Sequence, residues 1–183
     1  IMNAQNLILM GEMLGRDDVL AEGRKRLDDF SAYTASNGIH EYCSQTYAGV
    51  DLMCLHRLHT YCVTPAVREQ CDALLSVFWT DAIANCFAPA FRLGGAHSRD
   101  YDYLGGRGII DSWLAAAGCF ADPNPNATPP LLWLQSSWRP APAWLRELQA
   151  APRVVTQVWG PSSNEYRVMW AGKHVALSVA GKN

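Results

Sequence analysis

Apolar residues recur at helical spacing from the start of this chain. Leu7, Met10, Met13 and Leu14 share one face, which predicts a helix over 3–14. Gly15-Arg16-Asp17-Asp18 supplies a turn and an N-cap, and a second helix is predicted over 19–34. Leu20, Leu27, Phe30 and Tyr33 form its apolar stripe, while Arg24, Lys25, Asp28 and Asp29 face outward. Ser36-Asn37-Gly38 has the composition of a left-handed cap. Periodicity then lapses over Asn37 to Asp51, a stretch dense in polar and reactive side chains. Asp51 is expected to cap a third helix through Tyr61, with Leu52, Leu55 and Leu58 on one side. Thr64-Pro65, a cap followed by proline at the first helical position, launches a fourth helix to Cys86. Val67, Cys71, Leu74, Leu75, Phe78 and Ile83 are its stripe.

Short helix, turn, long helix, polar loop: the unit recurs with a period of roughly 45 residues, in the range of helical-hairpin repeats. A second polar stretch follows, Gly95-Ala96-His97-Ser98-Arg99-Asp100-Tyr101-Asp102-Tyr103. Gly108 to Ala117 then reads as the first helix of a third hairpin, Asp122 to Pro130 as a proline-rich break, and Ala143 to Ala150 as a short last helix. From Arg153 the period changes to two. Val154, Val155 and Val158, then Tyr166, Val168 and Trp170, then Val175, Leu177 and Val179 form alternating runs separated by turn sequences, which predicts three antiparallel strands. The expected fold is mainly α. Helical hairpins occupy 1–150, and 151–183 begins an antiparallel β domain. Helical periodicity starts at once from Ile1 and the chain stops just after a strand-like run, which reads as a piece of a larger protein.

Composition narrows the possible functions. Hydrophobic residues make up 49% and charged residues 17%, which excludes a disordered chain. A formal net charge of -2 and the lack of any Lys/Arg cluster give no footprint for nucleic acid. No apolar run approaches the roughly 20 residues of a membrane span. The six cysteines form no CxxC pair and match no zinc spacing, so no metal or cofactor is expected. Cys54, Cys62, Cys71 and Cys86 lie within helical stripes, where a thiol serves as a small buried apolar group, with disulfides in a secreted protein as the alternative.

Chemistry concentrates in the two polar stretches, since loops on rigid scaffolds are where binding and catalytic groups gather. Asn37-Gly38-Ile39-His40-Glu41-Tyr42-Cys43-Ser44-Gln45-Thr46-Tyr47 resembles a loop that follows a helix in heparinase-like and alginate-lyase-like polysaccharide lyases, with His, Glu, Ser and Tyr in comparable order. It departs from that pattern at Gln45, where proline is usual, and at Ala48, where a second histidine often follows. The resemblance implies an (α/α) toroid, present in part, continuing into an antiparallel β-sandwich. It also implies a secreted or periplasmic enzyme that cleaves an acidic glycan by β-elimination. Such a reaction must neutralise a uronate carboxylate, remove the proton beside it and protonate the leaving oxygen.

Asn37, Glu41 in its protonated form, or Arg99 could meet the first need. Arginine suits a carboxylate because its planar fork binds it bidentately. His40 or His97 could be the base, because imidazole titrates near neutrality. Tyr47 or Tyr101 could be the acid, with Tyr42 and Tyr103 in the substrate-binding set. A glycoside hydrolase on the same scaffold would instead need two carboxylates, for which Glu41, Asp51, Asp100 and Asp102 are available. A glycan-binding or scaffold protein without chemistry is the third possibility. Structural alternatives stand beside these: solvated loop histidines, a bracing ion pair at Arg99, and Trp133, Trp138 and Trp144 as packing where helices meet the β domain. His56 and His59, spaced i, i+3, have a metal-compatible spacing and no evident carboxylate partner.

Overall fold

The computed structural model describes residues 1–99, 108–121 and 129–181. Its first four helices are α1 (Met2–Leu14), α2 (Asp17–Asn37), α3 (Tyr47–Tyr61) and α4 (Pro65–Asn85). The hairpin repeat is therefore real, with α1 packed on α2 and α3 on α4. α1 also packs on α3, and α3 on α5 (Ile109–Ala116), while α2 touches α4. Two rows result, α1–α3–α5 and α2–α4. Among the described residues they do not close into a ring. Two short helices follow, α6 (Leu131–Gln135) and α7 (Pro142–Glu147). No described helix is long and apolar enough to cross a membrane.

The first hairpin is tight because Gly11 has no side chain. A Cβ there would lie 2.6 Å from the backbone nitrogen of Leu20. The second hairpin is tied to the first by Glu12, whose carboxylate accepts from Val63 N–H (2.9 Å), Thr64 N–H (2.9 Å), Thr64 Oγ1 (2.6 Å) and Cys62 Sγ (3.0 Å). Thr64 thus donates to Glu12 and does not cap α4 with its side chain, as the sequence implied. Burial alone would raise the Glu12 pKa, but the hydrogen bonds from Cys62, Thr64 and Val63 together hold it below the ordinary value. Glu12→Gln should cost about 2 kcal/mol at pH 7, the scale of hydrogen bonds to a charged acceptor. A lowered folded pKa gives stability that is present above the unfolded value of about 4.3 and lost as pH falls through the folded one. Urea unfolding should therefore show the wild-type advantage shrinking between pH 6 and pH 3.

The core gathers Leu27, Leu52, Leu55, Leu58, Leu75 and Ile83 with Trp79 and Trp113, all buried. His56 sits inside it. The Trp79 indole donates to His56 Nε2 (3.0 Å), so the ring proton is on Nδ1, which donates to Ser136 Oγ (2.9 Å). Its ring stacks on Trp113 at 4.8 Å, with Trp138 at 5.8 Å and Trp133 at 6.4 Å. Burial lowers its pKa to about 3, which keeps the imidazole neutral. Trp133 and Trp138 therefore seal the helical core and do not stand at the boundary with the sheet. His59 turns instead to Asp72, 3.1 Å away, so the two histidines do not form a metal pair.

All three predicted strands form: β3 (Arg153–Val158), β4 (Tyr166–Ala171) and β5 (Ala176–Ala180), antiparallel in that order. A hairpin absent from the sequence reading, β1 (Cys86–Phe87) and β2 (Arg92–Leu93), leads from α4 into the second loop. Arg167, Met169 and Ala171 face inward and are buried, while Val154, Val158, Trp170, Leu177 and Val179 are exposed on the other face. The sheet reaches the helices through Arg153, which donates to the carbonyls of Ala84 (3.0 Å) and Cys86. It reaches the opening loop at Gly38, whose φ of 77° and contact with the Val158 carbonyl leave no room for a side chain. All six cysteines are buried free thiols.

Candidate functional site

The opening loop is shorter than the periodicity implied. Asn37 is the last residue of α2 and Tyr47 the first of α3, leaving 38–46 between them. The reason is Ser44. Its Oγ accepts the Tyr47 N–H (2.9 Å) and its carbonyl accepts from Ala48 (3.1 Å), so it does the capping expected of Asp51. Asp51 is released from that task and stands one turn inside α3. Gln45 and Gly108 are pressed together, and the Gln45 carbonyl accepts from Ile110 (3.0 Å), fixing the loop to α5.

The second loop leaves β2 and docks on the first. Ser98 N–H donates to the Tyr42 carbonyl (3.2 Å), and Cys43 Sγ donates to the Gly94 carbonyl (3.3 Å). His97 Nδ1 lies 2.7 Å from the Cys43 carbonyl. A carbonyl only accepts, so Nδ1 carries the proton and, in the neutral ring, Nε2 carries the lone pair. Arg99 forms an ion pair with Glu41 and lies over the Tyr47 ring at 5.2 Å. Tyr101, Tyr103, Asp100 and Asp102 lie outside the described residues.

The histidines part company. His40 is exposed, with Nδ1 3.2 Å from the Tyr33 hydroxyl and its ring 6.4 Å from Trp159. It lines a cavity of about 440 Å³ with Tyr33, Glu41 and Asp51. His97 lines another, of about 560 Å³, with Arg92, Gly94, Gly95 and Ser178. Arg99 thus joins Glu41 to Tyr47, and His97 is anchored to Cys43 beside a separate cavity, while His40 and Glu41 line the first. Tyr42 packs at 5.0 Å against Trp159, from the β3–β4 turn, with the rings tilted by 32°, and burial raises the pKa of its phenol although Arg167 counters it. Asn37 is half-buried at the end of α2.

Asp51 is the perturbed acid of the site. Burial raises its pKa from 3.8 to about 7, and Glu41 adds to the rise. Its ordinary value lies below the folded one, so the folded protein binds the extra proton between them and loses stability as pH rises from about 4 to about 7. Asp51→Asn is therefore expected to raise stability at pH 8 by about 1–2 kcal/mol. The gain should vanish at pH 4, and thermal melts at the two pH values check it. A gain of equal size at both would assign the effect to packing.

Both loops are braced from the sheet. The Arg167 guanidinium is fully buried and donates to the carbonyls of Ala96 (3.0 Å) and Gly94, and to Asn85 Oδ1. Asn85 Nδ2 in turn donates to Asp81 Oδ1 (3.0 Å). Sequence reading passed over Arg167 and Arg92, and it placed Tyr33 only on the apolar stripe of α2. Arg167 alone left a visible trace, as a charged residue on the inward register of an alternating strand.

Comparison with family models, with curated proteins and with solved structures returns no match.

Proposed function

We propose that this chain is a carbohydrate-active enzyme, a lyase that cleaves a uronate-containing polysaccharide by β-elimination. In this reading the hairpins are part of an (α/α) toroid. The sheet, whose outward face is apolar, begins a β-sandwich. The observation that supports the proposal is the docking of the two loops, in which Arg99 pairs with Glu41 over the Tyr47 ring and His97 is anchored to the Cys43 carbonyl. His97 Nε2 removes the proton beside the uronate carboxylate. The C–O bond to the leaving sugar breaks, a carbon–carbon double bond forms, and Tyr47 or Tyr101 returns a proton to the departing oxygen. Tyr42, backed by Trp159, gives an aromatic surface for a sugar ring, and Tyr103 is assigned the same task.

The test is a screen of the full chain against uronate oligosaccharides, following ultraviolet absorbance of the unsaturated product. Growth of that absorbance, abolished in Tyr101→Phe, is the expected result. Its absence across the screen, with binding intact, would leave a glycan-binding protein.

Hydrolysis is favoured by one separate observation: Asp51 and Glu41 line the same cavity in opposed environments, one held neutral to about pH 7 and one ion-paired. New reducing ends without ultraviolet absorbance, lost in Asp51→Asn, would select that reading.

A further inference from the structure

We propose that Cys86 and Cys119 form a disulfide, a covalent staple between the end of α4 and the end of α5. The inference goes beyond the lyase reading. It agrees with the secreted or periplasmic setting expected of such an enzyme, where disulfides persist.

The fold delivers the two thiols to one place. Cys86 ends α4 and opens β1, where it pairs with Leu93 of β2. β2 packs in turn on α5. At the end of α5, Gly118 N–H donates to the Ala115 carbonyl (3.0 Å) and Cys119 N–H to the Leu114 carbonyl (2.9 Å). These bonds make a Schellman motif, with Gly118 left-handed at φ 83°, which folds Cys119 back onto the buried side of α5. Both cysteines are buried in the same core cluster, and their thiols are joined by a hydrogen bond. Other thiols point elsewhere: Cys43 donates to the Gly94 carbonyl (3.3 Å), and Cys62 to the Glu12 carboxylate (3.0 Å).

A disulfide needs two sulfurs that face one another and close to about 2.05 Å, and hydrogen-bonded thiols already face. The hydrogen bond with Cys119, and then burial, raise the Cys86 pKa, so the folded thiol offers little thiolate. The bond therefore forms during folding, before the core closes. One cysteine thiolate attacks oxidised glutathione, which gives a mixed disulfide and releases one glutathione thiolate. The second cysteine thiolate attacks the protein sulfur of that mixed disulfide, forms the new bond and expels the other glutathione. Two electrons pass to glutathione, and the two protons lost by the cysteines end on its two thiols. The staple closes a loop of roughly 30 residues that holds β1, β2, the His97 loop and α5.

The experiment refolds the reduced, denatured full chain in a buffer of oxidised and reduced glutathione. Remaining thiols are blocked with iodoacetamide in denaturant, and peptides are mapped by mass spectrometry without reduction. A linked Cys86–Cys119 peptide, with the other four cysteines alkylated, is the expected result. The oxidised form should melt about 10 °C above the same protein after reduction, the scale for a loop of this length. In Cys119→Ala both the linked peptide and that difference should vanish. Six alkylated cysteines, a link between another pair, or an oxidised form that melts below the reduced one would each overturn the proposal. The measurement reads neither sugar nor turnover. Its failure leaves the lyase reading untouched, and a failed uronate screen leaves this one standing.

Discussion

Arg167→Met is expected to destabilise the protein by about 3–5 kcal/mol, the scale for stripping one partner from a buried charged network. Methionine fills much of the volume but donates nothing. Asn85 Oδ1 and the carbonyls of Gly94 and Ala96 would lose their donor together, inside the protein. Asp81 would suffer as well. Burial raises its pKa to about 6, and Arg167 is the main influence holding it from rising further. A raised acid costs stability as pH climbs from its unfolded value through its folded one, and removing Arg167 extends that window upward. The deficit of Arg167→Met should therefore be larger at pH 8 than at pH 5, as urea midpoints at the two pH values would record. Arg167→Lys, with charge but no fork, should fall between. A loss below about 1 kcal/mol would mean the network is held by its other members.

On the lyase reading proposed above, His97→Gln is expected to lower the rate of uronate cleavage by about 10²–10⁴-fold, the usual contribution of a positioned general base. Glutamine can still donate an amide proton to the Cys43 carbonyl, so the loop keeps its anchor while the basic nitrogen is lost. The loss should fall on kcat, with KM little changed, because a general base acts in the chemical step. His40→Gln is the control. It faces the other cavity, beside Tyr33 and Asp51, and should cost less than tenfold if elimination takes place at His97. If the two effects are exchanged, the base is His40 and the chemistry belongs to the first cavity.

The helical hairpins and the three strands were legible because each is written in local periodicity. Leu52, Leu55 and Leu58 mark a helix without knowledge of what they touch. Both reactive loops were visible for the same reason, as places where periodicity stops. What could not be read depended on residues distant in sequence. Asp51 passed for a cap because a carboxylate before an apolar run usually is one, and nothing local showed that Ser44 had taken the task three residues before Tyr47. His56 meets Ser136 across 80 positions, so the tryptophans that enclose it looked like boundary packing until the chain was folded. Arg167 likewise finds these partners 71 to 82 residues away, in the second loop and at the end of α4.

The enclosure of His56 has an optical consequence. Ring centroids of Trp79, Trp113 and Trp133 lie 5.6 to 6.3 Å apart, close enough for their excited states to couple. The near-ultraviolet dichroism of the helical core should behave as the signal of a joint chromophore, lost in a single step when the core melts. Trp159 sits apart from that cluster, on Tyr42 at the loop junction. A fluorescence change there would follow events at the loops while the core signal stays still, giving the protein two internal dyes that report on separate places.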